Sequence, residues 1–136
     1  MHDPFVGTWK LNASRSEFDP NHRPAEATMR WQLQDGTAYL MLAEGVNQKG
    51  ERIAEKPQVL RPDGRPYPVD GFPGLTTLTI RVDRNTLRAE ARREDGSLAG
   101  EGSYVVSDDG GRMTAITSGF DSQLRRFEMC TAWDRV

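Results

Sequence analysis

Residues 26–34 read EATMRWQLQ, with Ala27, Met29, Trp31 and Leu33 apolar and Thr28, Arg30 and Gln32 between them. A period of two is the mark of an extended chain with one face covered. The same alternation predicts ten strands: Gly7–Asn12, Glu26–Gln34, Thr37–Val46, Arg52–Leu60, a short Pro66–Val69, Leu75–Asp83, Thr86–Glu94, Leu98–Ser107, Arg112–Phe120 and Leu124–Arg135. Turn signals separate them, among them Asp35-Gly36, Arg84-Asn85, Asp95-Gly96 and the DDGG at 108–111. No twelve-residue stretch free of Gly and Pro carries the i, i+3, i+4, i+7 spacing of a helix. The expected fold is therefore all-β: an up-and-down antiparallel meander of about eight to ten strands. A long meander leaves two unpaired edges unless it closes, so a closed β-barrel is expected, with the first and last strands paired. That pairing would bring Trp9 beside Trp133 and Arg135 and set a guanidinium over an indole at one end of the barrel.

Alternation also proposes which residues face inward. Trp31, Tyr39, Met41, Tyr104, Phe127 and Met129 are the large candidates for lining a ligand cavity, and Ala89, Ala91, Gly100 and Gly102 leave room on neighbouring strands. A one-residue slip would reverse each assignment. On Thr86–Glu94 the choice lies between Leu87, Ala89, Ala91 and Arg88, Glu90, Arg92. The apolar set is expected inside, because buried charge is costly.

Composition narrows the classes. The 136 residues suffice for one domain, 1–136, with one core. Hydrophobic residues make up 36%, but 13 glycines bring the chain close to globular norms. Eighteen basic against twenty acidic side chains, net −2, argue against nucleic acid as the main partner. The basic run Arg81 to Arg93 is interleaved with Asp83 and Glu90 and reads as a solvated strand face. No segment has the apolar length of a membrane span, and the start MHDPFVGTW lacks a basic region followed by an apolar one, so a cytoplasmic protein is expected. Fifteen Arg against three Lys hint at a bacterial source. A monomer or homodimer is expected.

The opening FVGTWKL, with Gly7 and Trp9, resembles the Gly-x-Trp opening of the calycin superfamily, the lipocalins and fatty-acid-binding proteins. The ending AWDRV is similar to the last strand of the fatty-acid-binding branch. GTWKLNASRSEF, YPVDGFPG and AWDRV together resemble a group of bacterial lipocalin-like proteins of uncertain function. The resemblance implies a ligand-holding barrel closed by Gly7, Trp9, Trp133 and Arg135. Two departures stand out. The family's helix-turn-helix lid has no counterpart in NASRSEFDPNHRPAE, where Pro20 and Pro24 oppose helices. Trp133 and Thr131 occupy the positions of the family's carboxylate-binding tyrosine and arginine, so a fatty-acid ligand is not carried over.

Chemistry is sparse. His2 and His22 are the only histidines and Cys130 the only cysteine, so neither a protein-bound metal nor a disulfide is expected, and haem through His22 has no supporting pattern. No cofactor is expected. No serine sits in a nucleophile elbow, and Cys130 reads as a structural thiol. Tyr67, Asp70 and His22 form a candidate acid–base set at one mouth. Three functions follow: binding of a small apolar or aromatic molecule, a cofactor-free lyase, isomerase or hydratase, or an interaction module with a filled core.

Overall fold

The computed structural model describes residues 3–17, 26–34, 38–47, 49–54, 57–69, 72–120 and 125–136. They hold eleven strands: β1 Gly7–Glu17, β2 Glu26–Leu33, β3 Tyr39–Val46, β4 Arg52–Ala54, β5 Gln58–Leu60, β6 Asp63–Pro68, β7 Thr76–Asp83, β8 Thr86–Arg92, β9 Leu98–Val106, β10 Arg112–Phe120 and β11 Arg126–Arg135. All pair antiparallel in one sheet, in the order β4-β3-β2-β1-β11-β10-β9-β8-β7-β6, with β5 also on β3. The all-β meander and the pairing of first with last strand agree with expectation. Three boundaries are corrected. The short strand expected at Pro66–Val69 is β6, Asp63–Pro68. The run 52–60 is two short strands, each paired with a different part of β3. Pro57, which has no N–H, precedes the second. β1 runs on to Glu17, past a bulge that sets Asn12 to Glu17 against only Ala132 to Cys130. In that bulge the Ser16 hydroxyl accepts from the Ala132 N–H at 2.9 Å, replacing a ladder bond.

The β1–β11 junction is locked by Arg135. Trp9 pairs with Arg135 and Leu11 with Trp133. The guanidinium carbon lies 4.2 Å from the centre of the Trp9 ring. Its nitrogens donate to three backbone carbonyls, Gly110 at 2.6 Å, Val6 at 2.8 Å and Pro4 at 2.7 Å. The Trp9 indole N–H in turn donates to the Phe5 carbonyl at 3.1 Å. Gly7 explains its own place: its φ is +143°, and a Cβ there would lie 2.3 Å from Arg135 Nη1. Only glycine leaves space for the guanidinium.

The ladder breaks at one place. β5 and β6 follow each other in the chain but share no pairing. Leu60 ends one and Asp63 begins the other, which holds the two free edges within about 11 Å at that point. The sheet must therefore wrap round, with a seam between β5 and β6. Pro66 and Pro68 remove two backbone donors from β6, a composition suited to an edge.

The interior is filled unevenly. Phe5, Trp9, Trp31, Tyr39, Leu87, Val106 and Met113 have almost no exposed surface, and all cluster where β1 begins and β11 ends. This end is the floor. The alternation is settled there as expected: Trp31 is buried and Arg30 exposed, Leu87 buried and Arg88 exposed.

Replacing Arg135 with Ala should cost about 1–3 kcal/mol, from the lost ring contact and charge-assisted hydrogen bonds. Gly7→Ala should cost about 2–4 kcal/mol through strain and a displaced guanidinium. The double variant should cost clearly less than the sum in urea denaturation, because either change alone releases the same clamp. Additive losses would show that Gly7 and Arg135 act separately.

Candidate functional site

Register places successive inward-facing residues in rungs that cross five strands. Nearest the floor is Arg81–Leu87–Tyr104–Ala115–Thr131. Above it come Thr79–Ala89–Gly102–Thr117–Met129 and then Thr77–Ala91–Gly100–Gly119–Phe127. Those two upper rungs form a slab of small side chains roughly 19 Å wide, given the usual strand spacing. The facing strands are similar, with Met29 opposite Ala43 and Ala27 opposite Gly45. Most of these inward positions stay half-buried, whereas the floor residues are closed off completely. Small inward side chains of this kind are the composition with which a barrel makes room for a ligand.

Phe127 leans over the slab. A Cβ built on Gly119 would lie 3.3 Å from its ring and 3.0 Å from the Ala99 carbonyl. Gly100 is as tight, with Ser118 O at 3.0 Å. Glycine here lets β9 and β10 approach closely, and the aromatic ring covers the bare backbone.

The cavity candidates separate into two groups. Trp31 and Tyr39 have no exposed surface. They pack with Phe5 and Tyr104, with Trp31 5.5 Å from Phe5, 5.7 Å from Tyr39 and 5.2 Å from Tyr104 between ring centres. They are floor rather than lining. Met41 is 6% exposed and joins the same cluster. Tyr104 is half-buried at the boundary, and Phe127 and Met129 belong to the upper rungs. Phe5, which alternation did not single out because it precedes the first strand, is wholly buried in the plug.

A polar network spans the seam at the floor. The Tyr39 hydroxyl on β3 donates to the Asp3 carboxylate and accepts from the Arg81 guanidinium on β7. Arg81 also lies 3.9 Å from Asp3, 5.7 Å from the centre of the Phe5 ring and 5.8 Å from that of Tyr39, and donates to the Arg84 carbonyl at 2.9 Å. The basic run 81–93 is thus not uniformly a solvated face: Arg81 stands at an inward position and staples strands that no ladder joins. Burial, reinforced by the Asp3 carboxylate, pushes the Tyr39 hydroxyl up from 10.0 to about 12. Nothing local in the sequence announces this network, whose members lie 36 and 42 residues apart.

The acid–base set is not assembled among the described residues. Asp70 and His22 lie outside them. Tyr67 sits on edge strand β6 opposite Thr77 of the upper rung, and its hydroxyl donates to Asp63 on the same strand. That bond holds the phenol above its ordinary range and the Asp63 carboxyl below its own. Cys130 is half-buried and unpaired. No three His, Cys, Asp or Glu side chains gather among the described residues to hold a metal. A groove of about 1000 Å³ crosses the outside of the floor, lined by Asp3, Leu33, Asp83, Val105, Asp108 and Asp109 among others. Its carboxylates are engaged: Asp83 by the Asn85 N–H at 2.9 Å, Asp109 by Ser107 at 2.6 Å and the Gly111 N–H at 2.9 Å, Asp108 by the Asn85 side chain at 3.4 Å.

No protein-family model matches the sequence, and no curated protein matches it. Solved structures do share the fold. The fluorescent protein UnaG superposes with a TM-score of 0.67 at 15% identity, covering 100% of both chains. Zebrafish ileal bile acid-binding protein, complexed with cholic acid, gives 0.58 at 10% identity over 98% of this chain and 99% of that one. As-p18, an extracellular fatty acid binding protein, gives 0.56 at 13% identity over 98% and 97%. The likeness is one of fold, the β-barrel of fatty-acid-binding-protein type.

Tyr39 sets an alkaline limit. It is neutral in both folded and unfolded chains below pH 10, and the unfolded chain ionises first above that. Stability should therefore fall by about 2 kcal/mol as pH rises from about 10 to about 12. Tyr39→Phe should remove this component from urea midpoints measured across that range. An unchanged slope in the variant would mean that Tyr39 is not the group responsible.

Proposed function

We propose that the protein binds one small apolar or aromatic molecule in the upper part of its barrel. The observation that carries this reading is the contrast between a sealed aromatic floor and two rungs of Ala, Gly and Thr above it. A filled interaction module has no use for such a slab, because unfilled volume in a core costs dispersion and hydrophobic energy. Phe127 and Met129 supply polarizable contact at the end of each rung, and Tyr104 and Met41 border it from below. The folds it resembles include a protein complexed with cholic acid and one described as fatty acid binding, which supports a hydrophobic ligand in general terms.

The motifs at its ends favour a place among the bacterial lipocalin-like proteins, as a single domain acting in the cytoplasm as a monomer or homodimer. The acid–base alternative draws little support from the lumen: on β7 to β11 the upper rungs carry no carboxylate, imidazole or phenol, and the Tyr67 phenol opposite Thr77 is engaged by Asp63.

Titration with N-phenyl-1-naphthylamine, an uncharged fluorescent aromatic, tests the reading. Ala91→Trp should fill the lumen and weaken binding by at least about tenfold, the equivalent of 1.4 kcal/mol. Glu90→Gln, one residue away on the outer face, should leave binding unchanged. Equal binding by all three proteins would place the probe elsewhere and remove the proposal.

A further inference from the structure

The inward positions of β7 to β11 carry only two ionisable side chains outside the phenols, Arg81 and Arg135, and both belong to the floor. Neither is available. Arg135 spends its donors on the Gly110, Val6 and Pro4 carbonyls and lies on Trp9. Arg81 is engaged by Tyr39, the Arg84 carbonyl and the Asp3 carboxylate, so its countercharge comes from the chain itself. On these strands the upper rungs offer the Thr77, Thr79 and Thr117 hydroxyls and otherwise only carbon and the Met129 sulfur, while on β6 the Tyr67 phenol opposite Thr77 is engaged by Asp63. Every glutamate and every other arginine on these five strands is at an outward position: Arg88, Glu90 and Arg92 on β8, Glu101 on β9, Arg112 on β10, Arg126 and Glu128 on β11.

Resting on the binding reading above, we infer that the lumen selects an uncharged ligand and discriminates against a carboxylate on the same skeleton. A carboxylate entering this wall would lose its hydration and find hydroxyls but no cation. A hydroxyl or carbonyl group needs only the single hydrogen bond that a threonine can give. Discrimination of this kind comes from the penalty on the wrong ligand rather than from extra contacts to the right one.

Two pyrene probes of matched size test it, 1-pyrenebutanol and 1-pyrenebutyrate, titrated into the full chain at pH 7 and followed by energy transfer from tryptophan. The alcohol should bind at least about tenfold more tightly than the carboxylate. Thr76 and Thr77 then provide a pair of variants on opposite faces of β7. Thr77→Lys, which puts a cation inside, should narrow or reverse the preference, whereas Thr76→Lys, with the same charge outside, should not. Carboxylate binding equal to or tighter than the alcohol in the unmodified protein would overturn the inference while leaving the binding function standing. A shift in Thr76→Lys as large as in Thr77→Lys would overturn it too, by showing that surface charge rather than the wall decides. Binding of neither probe would remove the lumen as a ligand site and this inference with it.

Discussion

The barrel depends on one cation at the end of its last strand. Arg135 holds the N-terminal segment by two carbonyls, the β9–β10 turn by a third, and the Trp9 ring by its face. These groups are as far as 131 residues apart in sequence, so the contact closes a loop of nearly the whole chain. Its geometry dictates the neighbours. Gly7 has no side chain because the guanidinium occupies that space, and Trp9 is oriented by its bond to Phe5, the next residue of the same cap. Phe5 then reaches Trp31 and Tyr39, so the clamp and the sealing of the floor are one construction.

At the seam the same floor solves a different problem. β5 and β6 share no ladder, and Pro66 and Pro68 leave β6 short of the donors that a ladder needs. Arg81, Tyr39 and Asp3 bridge the gap with side chains instead. A partly buried charge pair is weak evidence for stability by itself. Here it bears on the proposed specificity: the inward cation on β7 already has its partners within the chain. The stapled seam and the proposed neutrality of the ligand site are therefore linked, because Arg81 serves the first and is thereby withdrawn from the second.

Above the floor, packing is relaxed in an ordered way. Close approach of β9 and β10 at Gly100 and Gly119 is possible only without side chains, and Phe127 shields what glycine exposes. The large residues gather at one end and the small ones at the other, so the core that holds the fold and the place proposed for a ligand are separate parts of one barrel. That division of labour is physical, since a cavity spread through the whole interior would leave too little apolar contact to offset chain entropy.

Much of this was legible in the chain. The period-two alternation, the spacing of turns and the absence of helical periodicity sufficed for an antiparallel meander, because side-chain direction in a strand follows from backbone geometry alone. The pairing of ends was legible through Gly7, Trp9 and Arg135, and the apolar choice of Leu87, Ala89 and Ala91 through the cost of burying arginine. Tertiary structure decided the rest. Trp31 and Tyr39 looked like lining and proved to be floor, since depth along the barrel depends on register across many strands and not on the strand's own pattern. Phe5, Asp3 and Arg81 were invisible as partners because nothing local marks residues that meet only when the sheet has curled through a full turn. The seam, too, came from three dimensions: proline could say where a ladder must stop, but only the wrapped sheet could say which side chains would cross the gap.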